Sequence, residues 1–291
     1  MPPLMPAEVY RPRGRKHGFM DGCRKRAGAA RDWVSAVGVV AGLAVSGVCA
    51  NATTYQLDDG TGSNNLGPSF ACEFMWGNIF NVQPDAGLIT SISVAYGTLG
   101  TPQERPVRVY LYQMKNANDP TDAVLVATAT GLSGQQRTNI FLNYPIAPTA
   151  VYGSFFVAAS MEVFGNATVI PARYDASTPN NAHLSWFFGA DSYLEMPLGD
   201  APFSGNMANN IIKGVFMVRA TGEPNTCPAD LTRDGVVDDA DFPLVAGAYG
   251  VIDCASAEMP FGCPSDFNHD GLVDDADFVV FAAAYDGLLC P

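Results

Sequence analysis

Between residues 53 and 223, short runs of β-branched and aromatic residues recur, separated by clusters of Gly, Pro, Asn and Asp. Brief strands joined by tight turns are the patterning of an all-β sandwich. The pattern predicts strands near 88–99, 106–114, 123–130, 138–146, 153–163 and 211–220. In PVRVYLYQM, alternation sets Val107, Val109 and Leu111 on one face and Arg108, Tyr110 and Tyr112 on the other. One face is therefore expected in a core and the other in water. No apolar period of 3.6 residues runs far enough here to predict a helix. The expected fold is mainly β, a jelly-roll-like β-sandwich.

Helical spacing appears only beyond this region. Phe242, Val245 and Tyr249, and then Phe278, Phe281 and Tyr285, each fall on one helix face. They belong to an internal repeat of period 36, in which DLTRDGVVDDADFPLVAGAY, from Asp230, aligns without gaps on DFNHDGLVDDADFVVFAAAY, from Asp266, with 12 of 20 positions identical. The segments ahead of each copy, Cys227-Pro228-Ala229 and Cys263-Pro264-Ser265, read as extended, because a residue before proline avoids the helical region. Each unit is thus a loop followed by one helix. A composition shift at ATGEPNT, 220–226, separates a β domain at 53–223 from a small α domain at 224–291.

The first 52 residues read as a secretory signal peptide: a basic stretch, then the uncharged WVSAVGVVAGLAVSGVCANA, with Ala50 and Ala52 at the spacing of a cleavage site. Cleavage near Ala52 would send the remainder outside the cell, secreted or held at the surface, with no further stretch long enough to span a membrane. Eight of the sixteen basic and three of the twenty-nine acidic residues lie in the leader, so the remainder carries eight against twenty-six, a formal charge of −18. A surface so acidic repels nucleic acid and attracts cations. The acid is concentrated in 224–291, where thirteen Asp and Glu stand against Arg233 alone.

The repeats place that acid at metal-ligand spacing. An EF-hand-type calcium loop needs oxygen at positions 1, 3, 5, 7, 9 and 12, with Gly at 6 where the backbone turns under the ion. The first copy offers Asp230, Thr232, Asp234, the Val236 carbonyl, Asp238 and Asp241, with Gly235 at the turn. The second offers Asp266, Asn268, Asp270, the Leu272 carbonyl, Asp274 and Asp277, with Gly271. Carboxylates crowded this closely repel one another unless a hard divalent cation neutralises them. About two calcium ions are expected, the first site being the looser because Thr232 is a weaker ligand.

Duplicated loops of the form Asp-x-Asn/Thr-x-Asp-Gly-x-x-Asp-x-x-Asp, each with only an exiting helix, resemble type I dockerins. The resemblance covers about 60 residues. It implies a module that folds around two calcium ions and docks onto a cohesin-like protein or another cell-surface component. After the ninth loop residue stand Asp239-Ala240 and Asp275-Ala276, where cellulosomal dockerins often carry Ser-Thr, and the helices hold no Lys or Arg. A cellulosomal cohesin is therefore not the partner implied.

Cys227 and Cys254 are 27 residues apart, as are Cys263 and Cys290. The simplest of three connectivities clamps each unit with its own disulfide, Cys227–Cys254 and Cys263–Cys290. A Cys254–Cys263 bond tying the repeats together remains open. Cys72 reads as a buried apolar residue.

The β domain holds one histidine, His183, and no G-x-S-x-G turn, so serine or cysteine triad chemistry is not expected. Glu73, Glu162, Asp191 and Glu195 are available for glycoside hydrolysis, which needs two carboxylates facing across a cleft, but their spacing picks no pair. In SWFFGADSYLE, Trp186, Phe187 and Tyr193 are candidates to stack on sugar rings if exposed, and Asp58 and Asp59 are a further candidate cation site. The expectation is a non-catalytic β-sandwich binding or structural module. The competing expectation is a small glycan-active hydrolase, serving polysaccharide breakdown, carried by the same tail.

Overall fold

The computed structural model describes residues 52–164, 169–193, 196–209, 213–232, 236–254, 256–260, 262–268 and 270–287. Of the expected leader only Ala52 falls among them. The described chain is mainly β, with fourteen strands and two α-helices.

Residues 53–223 form three antiparallel sheets. In the first, β1 (Thr53–Tyr55), β14 (Val218–Glu223), β4 (Leu88–Val94) and β8 (Leu142–Ala150) pair in that order. In the second, β10 (Ile170–Asp175) pairs β13 (Val215–Phe216), β2 (Asn64–Leu66) and β5 (Tyr96–Thr98). The third and largest runs β12 (Phe203–Asn206), β11 (Ser185–Ala190), β3 (Ala71–Asn81), β9 (Ser154–Phe164), β6 (Pro106–Gln113) and β7 (Val124–Leu132).

The six-stranded sheet is covered on both faces, which corrects the expectation of one wet face. Val107, Val109 and Leu111 enter the main core with Trp76, Phe155 and Phe187. Tyr110 and Tyr112 on the opposite face are buried too, packed with Met75, Phe156, Phe188, Tyr193 and Leu198. The segment after β11 supplies Tyr193 and Leu198, so a loop performs the covering that water was expected to perform.

With both faces of the sheet buried, period two survives only where the second face carries polar-tipped residues, as Arg108, Tyr110 and Tyr112 do in β6. β6 alternates legibly, whereas β3 (ACEFMWGNIFN) is a nearly continuous apolar run with seven consecutive buried positions. Strands covered on both faces lose period two. β3 also carries Gly77, a residue that ordinarily weakens a strand. Here a Cβ would meet the Val157 carbonyl oxygen and lie 2.8 Å from the Ala158 Cα on β9, so the sheet requires a glycine.

Beside Gly77 sits Asn78, fully buried. Its Nδ2 donates to the Phe216 carbonyl at 2.7 Å and the Val218 carbonyl at 2.9 Å, and its Oδ1 accepts from Ser185 Oγ at 2.6 Å. Ser185 Oγ accepts in turn from the Phe216 amide at 3.3 Å. One side chain thus joins β3 and β11 to the strands that bound the two smaller sheets.

Beyond β14 the chain enters the acidic repeats, with helices α1 (Phe242–Tyr249) and α2 (Asp275–Gly287). Their small buried cluster is Ala229, Val237, Val245 and Phe281, and Ala248 and Val273 are buried as well. Of the expected helix faces, Val245 and Phe281 are inside. Phe242, Tyr249, Phe278 and Tyr285 remain exposed, as does Val279 at 66%. No described helix is long and apolar enough to cross a membrane.

Replacing Asn78 by Ala should strand two carbonyls and a hydroxyl in the core, lowering stability by about 3 kcal/mol. Urea unfolding read by tryptophan fluorescence measures this; an unchanged midpoint would refute the role given to Asn78. Burial also holds the phenols of Tyr55, Tyr96, Tyr110, Tyr112, Tyr144 and Tyr193 above their ordinary 10.0, with Tyr110 pushed up to about 12. The folded state therefore retains protons that the unfolded chain releases near 10, and stability falls as pH rises from about 10 through about 12. Phenolate absorbance should lag and then rise together with loss of circular dichroism. Titration of every tyrosine near 10 with structure intact would contradict it.

Candidate functional site

In the second repeat the loop from Asp266 to Asp277 is folded by its own side chains. Asp266 accepts from the amides of Asp270 (Oδ1, 3.1 Å) and Gly271 (Oδ2, 3.0 Å). Asn268 Oδ1 accepts from the Asp270 amide at 2.9 Å, and Asp270 Oδ1 from the Leu272 amide at 2.9 Å. Asp274 Oδ1 takes the Ala276 amide at 2.8 Å. Gly271 turns at φ +90°, a backbone that side-chain-bearing residues rarely adopt, at the loop position where the chain must bend under an ion.

Asp277, fully buried, closes the loop. Its Oδ1 accepts from the amides of Phe267 (2.6 Å) and Asn268 (3.1 Å), and its Oδ2 from that of Asp274 (3.0 Å). Asp241 does the same in the first repeat, accepting from Thr232 (2.8 Å) and Asp238 (3.0 Å). Thr232 Oγ1 donates to Asp230 at 3.4 Å, and Asp238 takes the Ala240 amide at 2.7 Å. Val236 is described, whereas Asp234 and Gly235 lie outside the described residues. A carboxylate one methylene shorter than Glu reaches these amides directly, which gives Asp at position 12 a structural part beyond any ligand role.

The donor set in both loops is oxygen only, as a hard divalent cation requires. Among the described residues, the trio of His, Cys, Asp or Glu ligand atoms lying within 4.8 Å of one another is Cys254, Cys263 and Asp266. Two of its members are joined to each other, so it is not a metal-binding set. Asp238, Asp241, Asp266, Asp270, Asp274 and Asp277 each accept from a backbone amide of their own loop.

Cys254 is bonded to Cys263, and Cys227 is also in a disulfide. The expected clamp of each unit by its own bond, Cys227–Cys254 and Cys263–Cys290, is thereby overturned. Cys254 lies next to the second loop, its amide donating to the Gly271 carbonyl at 3.1 Å, while Val273 donates to Ile252 at 2.7 Å. This short antiparallel bridge draws the end of unit one onto the loop of unit two, which is why the bond crosses between units. Cys290 lies outside the described residues.

The two repeats also grip one another reciprocally. Tyr249, at the end of α1, donates to Asp275 at 2.6 Å, and Tyr285, in α2, donates to Asp239 at 2.7 Å. Each pair is the other displaced by 36 residues, the signature of an approximate twofold relation between units.

In the β domain the expected aromatic platform does not form. Phe187 is in the main core, Tyr193 is 1% exposed, and half-buried Trp186 lies against Phe188 with ring centroids 6.2 Å apart. SWFFGA is strand β11, and its rings face inward on both sides. Asp58 is paired with Arg219, whose Nε lies 3.1 Å from Oδ2, and Asp59 accepts from Ser177 at 3.1 Å. His183 is exposed, its Nδ1 3.0 Å from the Asn180 carbonyl.

Three of the four carboxylates that spacing left unpaired do come together. Glu73 on β3 lies opposite Glu162 on β9 in register. Both line a cleft of about 540 Å³ at one end of the six-stranded sheet, with Asp191, Arg108, Cys72, Thr130 and Phe164. Glu195 lies outside the described residues. Glu73 accepts from Tyr110 at 3.0 Å and from Ser160, with Arg108 at 3.9 Å. Burial, with the charges of Glu73 and Asp191, pushes the Cys72 thiol up, away from nucleophilic use. Cross-strand register, invisible in one strand's spacing, is what assembles this cleft.

No protein-family model matches the chain, and no curated protein does. Solved structures similar to it include the cysteine protease and lectin-like domains of Cwp84, a surface layer associated protein of Clostridium difficile, with 13% identity and a TM-score of 0.39 over 60% of this chain and 36% of that one. A clostridial cysteine protease Cwp84 after propeptide cleavage matches at 14% identity and a TM-score of 0.36, over 60% of this chain and 40% of that one. The chain thus spans well under half the length of either, and likeness at this level carries no argument about function.

Proteolytic mapping of the unreduced protein should recover a crosslinked peptide holding Cys254 and Cys263. Recovery of Cys254 bonded to Cys227 would restore the within-unit clamp.

Proposed function

We propose that this is an exported, non-catalytic modular protein in which a jelly-roll-like β-sandwich module is carried by a dockerin-like tail that binds about two calcium ions and docks onto a cohesin-like protein or a cell-surface component. The observation that carries this reading is the matched closure of the two loops. Asp241 and Asp277 hold the amides near position 3 and at position 9 in the same way, so each loop is closed by its position-12 carboxylate. Asp266, Asn268, Asp270, the Leu272 carbonyl, Asp274 and Asp277 would hold one ion. Asp230, Thr232, Asp234, the Val236 carbonyl, Asp238 and Asp241 would hold the other. When bound, calcium supplies charge neutralisation in a tail with few buried apolar residues among those described.

Docking draws support from the apolar residues that the small core leaves outside, Phe242 and Phe278 among them. The positions after each ninth loop residue, Asp239 and Asp275, are occupied by Tyr285 and Tyr249. A partner would therefore use the apolar helix surface in place of those two aspartates. Export follows from the leader's pattern, and the Cys254–Cys263 disulfide accords with an oxidising compartment. A second reading, a glycan-active hydrolase, draws on the facing pair Glu73 and Glu162. Against it, Glu73 is held by two hydroxyls and lies near a guanidinium. Release of reducing ends from glycans by the full chain would favour the hydrolase.

Calorimetric titration of the full chain should show calcium uptake at about two sites, with a rise in unfolding temperature as calcium exceeds its dissociation constant. Asp270→Ala should lower stability mainly in calcium, whereas Asp277→Ala should lower it in chelator as well, since it removes three amide contacts. No heat and no stabilisation would overturn the calcium reading.

A further inference from the structure

The cleft at the end of the six-stranded sheet has a chemistry that the tail does not explain. Its volume, about 540 Å³, is that of a small organic ligand and far more than an ion fills. Its carboxylates do not converge: among the described residues no three of them bring oxygens within 4.8 Å of one another, as a small ion would need. Carboxylate oxygens only accept hydrogen bonds, so the ligand must be rich in donors, hydroxyls or amines. Phe164 lines the same cleft and is 57% exposed, which leaves an aromatic ring at the end of β9 open to a ligand beside the carboxylates.

Glu73 is fixed by Tyr110 and Ser160 from the buried face of the sheet, with Arg108 at 3.9 Å, so the cleft floor is preorganised. A ring with one C–H face for Phe164 and hydroxyls around its edge for the carboxylates meets every one of these demands. We propose that this cleft binds a saccharide, with Phe164 stacking on the sugar face and Glu73, Glu162 and Asp191 accepting from its hydroxyl or amine groups. Three carboxylates against one guanidinium leave a formal charge of −2, so neutral or amine-bearing sugars enter and uronates are repelled. This deepens the reading of the β domain as a binding module and is independent of the calcium reading. It also moves the recognition site away from Trp186, Phe187 and Tyr193, which are core or half-buried residues.

The test is saturation-transfer NMR and calorimetry on the full chain, with neutral oligosaccharides, chitosan oligomers and polygalacturonate as probes. Millimolar or tighter binding to a neutral or amine-bearing probe is expected, with none to polygalacturonate. Phe164→Ala, an exposed change that leaves the fold intact, should weaken binding about tenfold, the loss expected from withdrawing one apolar ring from contact. Glu162→Gln should weaken chitosan more than a neutral sugar. Absence of binding to every neutral and amine-bearing probe, a preference for polygalacturonate, or affinities unchanged in both variants at unaltered unfolding temperature would overturn the proposal. Calcium heats should be the same in wild type and Phe164→Ala, so failure here is distinguishable from failure of the calcium reading.

Discussion

Three strand systems meet at the side chain of Asn78. Between β13 and β14 the chain changes sheets at Met217, whose amide goes to the Arg173 carbonyl and whose carbonyl receives the Ala95 amide. The flanking carbonyls of Phe216 and Val218 then point inward, where no strand pairs them. In a core of this kind each bare carbonyl would cost a desolvation penalty with nothing to offset it. The Asn78 amide satisfies both, and its own oxygen is satisfied by Ser185. This network permits a strand to be shared between two sheets above a third, and it sets the position of β3 and β11.

From β3 the consequences run outward in both directions. Its Trp76 side builds the main core, and its Met75 side meets the second core under Tyr193 and Leu198. A sheet buried on both faces has no solvent-facing register to read, which is why β3 and β11 are silent in a search for alternation, and β6 shows one only because its second face carries Arg108, Tyr110 and Tyr112. SWFFGA looked like a displayed aromatic cluster for the same reason, since local composition does not separate a ring platform from a twice-buried strand. The wet face expected for Tyr110 and Tyr112 failed because a loop distant in sequence covers it.

The tail was legible in a different way. Aspartates at fixed offsets encode a loop locally, so Asp266 to Asp277 could be read without knowing what packs nearby, and both exiting helices followed from spacing. The disulfide was not legible, because equal separations of 27 residues are compatible with bonds inside or between units. The bridge that decides it, Val273 to Ile252 and Cys254 to Gly271, is a contact between units. Long-range pairing was the missing information in the sheets and in the repeats alike. Glu73 and Glu162 lie 89 positions apart in sequence and face each other only once β3 and β9 are in register.

The same register ties the cleft to the core. Glu73 sits on the strand that holds Asn78, and the Tyr110 hydroxyl bonded to it belongs to a ring stacked on Tyr112 at 5.9 Å within the second core. Tyr193, packed edge-on to Tyr110, donates to the Glu73 carbonyl at 3.0 Å and so holds the covering loop to the same strand. The carboxylate at the floor of the cleft is therefore positioned by the residues that close the second face of the sheet. A protein that needed only a closed face could have met it with apolar side chains. Of the three tyrosine hydroxyls in that layer, Tyr110 donates to the Glu73 carboxylate, Tyr193 to the Glu73 backbone carbonyl, and Tyr112 is buried without a partner, so the layer as built both covers the sheet and holds Glu73 at the cleft.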